Sequence, residues 1–342
     1  MRLLSTRRAL LNSLPALLVA NAPPSSKIAM SAAYRSASVE VGGAEIPVAL
    51  WLPPAAAAVD FGAPAADYAY RIDLGRIASK LGLGFLGWLP ARDCPLPIGQ
   101  LAETHAPRKN CAILFAHGYL GSRFDLQHVC EALAADGFVV AAPELPESLA
   151  ASFVPNEATT RAAIMAATRA LVDGSLGPQR YGIVGHSAGA GTATMLAEPC
   201  PLGRAALCGY RGYDGSDPLL VLASSGDSVI PLEYIQNALA AEAAAGRPAA
   251  TTTLDALDFA RRRTAVLLDA ALPGADAPPN HISFLSEGTN DEMVKFLSPF
   301  LPLARLLGIP LLDFDAYQLS GDAAPTARAV TPAVLSFFRA NA

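Results

Sequence analysis

The residues of this chain with chemistry to offer converge on one stretch, Tyr181-Gly182-Ile183-Val184-Gly185-His186-Ser187-Ala188-Gly189-Ala190-Gly191. A short apolar β-type run leads into Gly-x-Ser-x-Gly and then into small, helix-compatible residues. That strand, turn and helix context lifts a serine hydroxyl above a sheet edge on a strained turn. Ser187 is therefore the candidate nucleophile. Gly185 and Gly189 have a steric reason to be glycine, because the turn brings strand and helix too close for a Cβ at either site. A serine hydroxyl is too weakly acidic to attack a carbonyl unaided. It needs a base within hydrogen-bond reach and a third group that orients the base.

Histidine is the natural base, since it titrates near neutrality. In this setting the partners follow in the chain order nucleophile, acid, histidine. Of the five histidines only His281 follows Ser187, in the rigid loop Pro278-Pro279-Asn280-His281. His186 lies inside the elbow, His117 in a strand-end turn, His128 in a helix and His105 before the central strands. The acid must fall between Ser187 and His281. Asp227 comes directly after the apolar strand Leu219 to Ala223, in Ser225-Gly226-Asp227-Ser228, and loops at the carboxyl ends of parallel strands carry functional groups in open α/β sheets. Asp276, close to His281 in sequence, is the runner-up. The developing oxyanion needs backbone donors. The amide of Ala188 directly follows the nucleophile, and the amide of Tyr119 stands in the turn Ala116-His117-Gly118-Tyr119-Leu120-Gly121.

These groups need a scaffold that brings strand ends together. Ser36 to Leu52 reads as two strands joined at Gly42-Gly43 by period-two alternation. From Cys111 onward strands and helices alternate: strands over Cys111 to Ala116, Phe138 to Ala142, Tyr181 to Val184 and Leu219 to Ala223, and helices over Phe124 to Ala135 and Ala158 to Leu171. This predicts a parallel sheet with helices on both faces. Phe259 to Leu272 and Thr331 to Asn341 are predicted as further helices. The pattern gives one α/β domain over 31–342, with an irregular insertion at about 60–107 and a helical segment at about 290–312. Within the insertion, Ile72 to Leu89 reads as a short helix and loop that could cover the site. Its Gly82-Leu83-Gly84-Phe85-Leu86-Gly87 matches a dinucleotide fingerprint, but no strand precedes it and no helix pattern follows.

A net charge of −5 over 342 residues offers no clustered basic surface and excludes nucleic acid as a partner. The five cysteines are odd in number and widely spaced, so buried thiols are expected, with Cys200 and Cys208 the pair one bridge would use. No zinc-spaced ligands and no credible phosphate loop appear, so neither metal nor organic cofactor is implied. At the N-terminus, Arg2, Arg7 and Arg8 precede an apolar run, and Ala20-Asn21-Ala22 offers a cleavage pattern. Residues 1–30 thus read as a targeting segment and tail. This predicts an exported or organellar protein of the bacterial periplasm, exterior or plastid lumen, soluble once the segment is removed.

Phe115-Ala116-His117-Gly118-Tyr119, Gly185-His186-Ser187-Ala188-Gly189 and Gly226-Asp227-Ser228-Val229-Ile230-Pro231, followed by His281, together resemble the α/β-hydrolase superfamily. Within it the chain is similar to the branch of platelet-activating-factor acetylhydrolases, chlorophyllases and dienelactone-hydrolase-like proteins. Chlorophyllases of plants carry Arg-Gly after the elbow serine, where this chain has Ala188-Gly189. The resemblance implies a mostly parallel eight-stranded sheet and a serine esterase with catalytic Ser187, Asp227 and His281. It also implies Tyr119 and Ala188 as oxyanion donors and no cofactor. The apolar segments point to an acyl, lipid or pigment ester, with peripheral membrane contact for a lipid substrate. The rival readings are a non-catalytic ligand-binding protein of the same fold and an acyltransferase using the same three residues. Oligomeric state is left open.

Overall fold

The computed structural model describes residues 33–53, 56, 59, 61, 69–80, 82–95, 108–149, 153–259, 262–306, 308 and 323–342. The targeting segment, His105 and parts of the 60–107 and 290–312 segments lie outside these residues.

The central strands form where runs of apolar residues can be buried on both faces, which is why they lack a clean alternation. β5 (Cys111–Ala116) is buried at every position. Its Ile113 and Phe115 point into one core, with Val140, Leu133 and Phe338. Ala112, Leu114 and Ala116 point into the other, with Ile164, Met165 and Val172. β5 lies between β6 (Val139–Pro143) and β7 (Arg180–His186), parallel to both. The sheet continues through β8 (Gly203–Leu207), β9 (Leu219–Ser224) and β11 (Arg263–Leu268). At the other side β2 (Ala44–Leu52) runs antiparallel to both β6 and β1 (Ala33–Val41), and Gly42 and Gly43 take positive φ in the turn that joins the two strands.

The architecture is the expected mixed α/β sheet, mostly parallel with helices on both faces, with one departure in its strand number. Among the described residues the sheet has nine strands, not eight, because β10 (Ala250–Thr252) adds a short parallel edge beside β11. A second correction is that Phe259 to Leu272 is not a helix. Its Arg263–Leu268 portion is β11, buried at Thr264, Ala265, Val266 and Leu268. Its Ala, Arg and Leu residues favour helix locally, but the unfilled edge of β9 offers a ladder of backbone partners and an apolar face. Tertiary pairing wins.

Helices α2 (Gln127–Ala135) and α8 (Ala324–Asn341) pack together on one face, α8 contributing Val334, Phe337 and Phe338. α3 (Arg161–Leu176) covers the other face against β1 and β6, its first turn capped by the Thr160 hydroxyl. α8 begins seven residues before Thr331 and runs through Pro332, whose missing donor falls on the exposed side. The insertion is more regular than expected. β3 (Ala69–Asp73) and β4 (Ala91–Pro95) pair antiparallel and enclose α1 (Leu74–Lys80) and the exposed turn Gly84–Leu86. The Gly82–Gly87 motif thus follows a helix, not a strand, and its Phe85 and the following Trp88 stand 70% and 76% exposed. All five cysteines are buried thiols, so Cys200 and Cys208 are not bridged. Among the described residues no helix is long and apolar enough to cross a membrane.

Candidate active site

Ser187 sits between β7 and α4 (Ala188–Met195) with φ 57° and ψ −121°, a conformation that costs a non-glycine residue of order 1–3 kcal/mol. The surroundings hold it there. Its N–H donates to the Leu207 carbonyl at 2.8 Å, and its own carbonyl accepts from Ala190 at 2.9 Å. A Cβ on Gly185 would overlap the Gly189 carbonyl, and one on Gly189 would overlap the Ala116 carbonyl. Both overlaps are with backbone, which cannot swing aside. The far end of α4 is held by Arg204, which is 2% exposed. Its guanidinium donates to the carbonyls of Ala193, Leu196 and Glu198 at 2.7, 3.0 and 2.6 Å, while Nε pairs with Asp217 at 2.9 Å. A cation at a helix C-terminus complements the dipole, and here it also satisfies carbonyls that the helix leaves open.

Asp227 lies in the turn after β9 and is 4% exposed. Its Oδ1 accepts the N–H groups of Val229 and Ile230 at 2.9 and 2.7 Å, and its Oδ2 accepts from His281 Nδ1 at 2.8 Å. The carboxylate is aimed by two backbone donors and in turn aims the imidazole. Asp276, the runner-up, is exposed. The loop carrying His281 is fixed by short-range bonds: Asn280 Oδ1 accepts the Ser283 N–H at 2.9 Å, and Asn290, on α6 (Glu287–Leu297), donates to the Ile282 carbonyl at 2.5 Å. His281 stands against the elbow. Its ring centroid is 4.8 Å from that of His186, and its carbonyl accepts from His186 Nε2 at 3.0 Å. Burial, reinforced by His281 nearby, holds the pKa of His186 well below the usual histidine value.

The turn after β5 supplies the opposite wall. Gly118 lies against Ser187, where an added Cβ would come within 3.1 Å of the serine Cβ. The Gly121 N–H closes this turn onto the Gly118 carbonyl at 3.2 Å, and the Tyr119 amide takes no part in the backbone bonding of the loop. The Tyr119 ring is 49% exposed, and its hydroxyl donates to the Lys80 carbonyl at 3.1 Å, tying this loop to the insertion. Ala188 opens α4 and is exposed, so its N–H is among those with no partner inside the helix.

Two residues with no sequence signal of their own hold this turn. His117 is fully buried; its Nε2 accepts the Leu145 N–H at 2.8 Å and its Nδ1 donates to the Gly118 carbonyl at 2.8 Å. A backbone N–H can only donate, so the tautomer follows from the bonds. Burial pushes the pKa of His117 down to about 4. Arg161 reaches the His117 carbonyl at 2.9 Å and pairs with Glu147 at 2.9 Å.

Above Ser187 opens a cleft of about 620 Å³, lined by Tyr119, Ala188, Met195, Gly209, Val229 and Tyr234 among others. Met195, Val229 and Tyr234 are at least half exposed, which gives the mouth an apolar rim. A larger hollow of about 920 Å³, bounded by Ser36, Phe61 and Phe153, has none of these groups around it.

No protein-family model matches the sequence, and no curated protein matches it. Solved structures do show likeness. A ferulic acid esterase from Streptomyces cinnamoneus is 19% identical with a TM-score of 0.46, over 93% of this chain and 91% of its own. A lidless serine hydrolase from Xanthomonas campestris is 11% identical with a TM-score of 0.45, over 79% and 95%. A Pyrococcus furiosus esterase is 14% identical with a TM-score of 0.42, over 84% and 99%.

Proposed function

We propose that the protein is a serine ester hydrolase in which Ser187 is the nucleophile, His281 the general base and Asp227 the orienting acid. The supporting observation is the Asp227–His281 hydrogen bond at 2.8 Å, held beside a backbone-strained serine at the floor of an open cleft. Asp227 fixes the proton on Nδ1, so Nε2 is the nitrogen that takes the Ser187 hydroxyl proton as Oγ adds to the ester carbonyl. The tetrahedral oxyanion is met by the amides of Tyr119 and Ala188, two residues that line the cleft beside Ser187; donors fixed in place before substrate arrives cost no reorganisation in the transition state. Collapse breaks the carbonyl–alkoxy bond, and His281 returns its proton to the leaving alcohol. Water then attacks the acyl group on Ser187 with His281 again as base, releasing the acid and restoring the hydroxyl. The apolar rim of Tyr119, Met195, Val229 and Tyr234 favours an acyl or lipid chain over a sugar. The exposed Phe85 and Trp88 offer a contact for a lipid surface.

Ser187→Ala is expected to lower p-nitrophenyl ester turnover by a factor of about 10⁴ or more and to abolish labelling by a fluorophosphonate. Retained turnover or retained labelling would overturn the assignment. The export reading of residues 1–30 is proposed on the N-terminal arginines and the Ala20-Asn21-Ala22 pattern. A mature N-terminus beginning well before Ala22 would contradict it.

A further inference from the structure

Directly beneath the cleft floor lies a cluster that the hydrolytic cycle does not use as a set. A ring nitrogen of His186, a ring nitrogen of His281 and the Sγ of Cys208 lie within 4.8 Å of one another, and all three residues are buried. Among the described residues this is the one group of three such ligands. Two histidines and a thiolate are a donor set suited to zinc and to softer divalent ions, rather than to magnesium or calcium.

Three further features make it a built site. Cys208 is held at φ 53°, an unusual conformation for a residue with a Cβ, and its N–H is bonded to the Leu222 carbonyl at 2.9 Å. Each imidazole is oriented by an oxygen acceptor: the Asp227 carboxylate for His281 and the His281 carbonyl for His186. Carboxylate and carbonyl partners of this kind are what set the ring direction of metal-ligating histidines. Finally, there is a way in. Ser187 and Gly209, the residues following His186 and Cys208, both line the cleft, so backbone carrying two of the ligands borders solvent-reachable space.

We propose that His186, Cys208 and His281 form an inhibitory site for a soft divalent cation such as Zn²⁺ or Cd²⁺. Metal bond lengths of about 2.0–2.3 Å place tetrahedral ligand atoms about 3.5 Å apart. The three donors therefore draw together by about an ångström, within reach of rotation about the Cys208 Cα–Cβ bond and tilting of the rings. On binding, the Cys208 thiol gives its proton to solvent as the sulfur–metal bond forms, and a water fills the fourth position. The cation occupies the His281 lone pair, so the base can no longer accept the Ser187 proton and turnover stops. The loss of turnover rests on the hydrolase reading; the binding of metal does not.

The test uses full-length purified protein and Cd²⁺ or Zn²⁺ alone. Cd²⁺ is expected to inhibit ester hydrolysis reversibly, with recovery on adding EDTA, and to produce the ultraviolet thiolate-to-cadmium absorption at one equivalent. Cys208→Ser is expected to keep basal turnover, to lose that absorption and to raise the half-inhibiting concentration by at least about tenfold. Cys208→Ala gives a second variant with the same expectation should Cys208→Ser fold poorly. Ser187→Ala, inactive on the hydrolase reading, is expected to bind one Cd²⁺ with the same absorption. Absence of the thiolate absorption in the unaltered protein, or equal inhibition of Cys208→Ser, would overturn the proposal. Cadmium binding without any basal esterase activity would instead overturn the hydrolase reading and leave the metal site standing.

Discussion

Acid should destabilise this protein through histidines outside the proposed catalytic set. His117 is fully buried and His128 is half-buried with its Nε2 enclosed, and loss of solvent pushes the pKa of each down to about 4. The bonds show why. Protonating His117 on Nε2 would turn the acceptor of the Leu145 N–H into a second donor. His128 faces the Ser286 hydroxyl at 2.9 Å through Nδ1, and its Nε2 is buried with no acceptor for an added proton. The unfolded chain binds protons at these residues near pH 6.5, the folded chain only near pH 4. Below pH 6.5 the unfolded state therefore binds more protons, and stability falls until about pH 4, where the loss levels off. Between pH 7 and pH 5 this amounts to about 2 kcal/mol per histidine, or about 4 kcal/mol for the pair. That is a large part of a stability in the usual range of about 5–15 kcal/mol. Asp125, whose carboxyl burial raises its pKa, opposes the trend and His186, held below its usual value, adds to it, but both are common to all variants and cancel in differences. The assay is urea denaturation at pH 7, 6 and 5, followed by the fluorescence of the buried Trp51. His117→Gln supplies a non-titrating acceptor for the Leu145 N–H. It and His128→Gln should each remove about 2 kcal/mol of the pH-dependent loss. A double variant that loses as much stability between pH 7 and pH 5 as the unaltered protein would refute the reasoning.

Other consequences follow from the same geometry. Asp227→Asn keeps an oxygen for the Val229 and Ile230 amides but presents an NH₂ to His281 Nδ1, which reverses the tautomer. Turnover should fall by about 10⁴ while the melting temperature changes little. Gly189→Ala sets a Cβ against the Ala116 and His117 carbonyls. It should destabilise the fold by roughly 3 kcal/mol in urea titration and lower activity with it. Tyr119→Phe removes the bond to Lys80 but keeps the backbone amide. Turnover of a short ester should stay within about twofold, while protease cleavage of the insertion should quicken, since a half-exposed hydrogen bond contributes about 1 kcal/mol or less.

Much of this was legible because the informative residues stand at strand ends. Gly185 and Gly189 announce a close approach that only glycine permits, and Asp227 follows an unbroken apolar run. Their roles depend on local chain geometry, which sequence spacing reports directly. What was hidden depends on tertiary pairing. β8, Gly203–Leu207, contains no β-branched residue and carries an arginine that reads as solvated; Arg204 is buried because three carbonyls at the end of α4 and Asp217 await it. β11 has a helix-forming composition and becomes a strand only because β9 stands beside it. His117 gave no signal beyond its place in a turn, since the Leu145 amide it accepts is 28 residues away.

The Asp227–His281 hydrogen bond joins residues 54 apart, and the elbow serine lies on a third strand end. None of these groups can meet its partners until β7, β9 and the His281 loop have docked. Contacts of such sequence separation form late and slowly. On the proposed assignment, regain of ester turnover during refolding is thus a clock for the last stage of assembly, expected to lag behind the burial of Trp51, and a fragment ending before His281 is expected to be inactive.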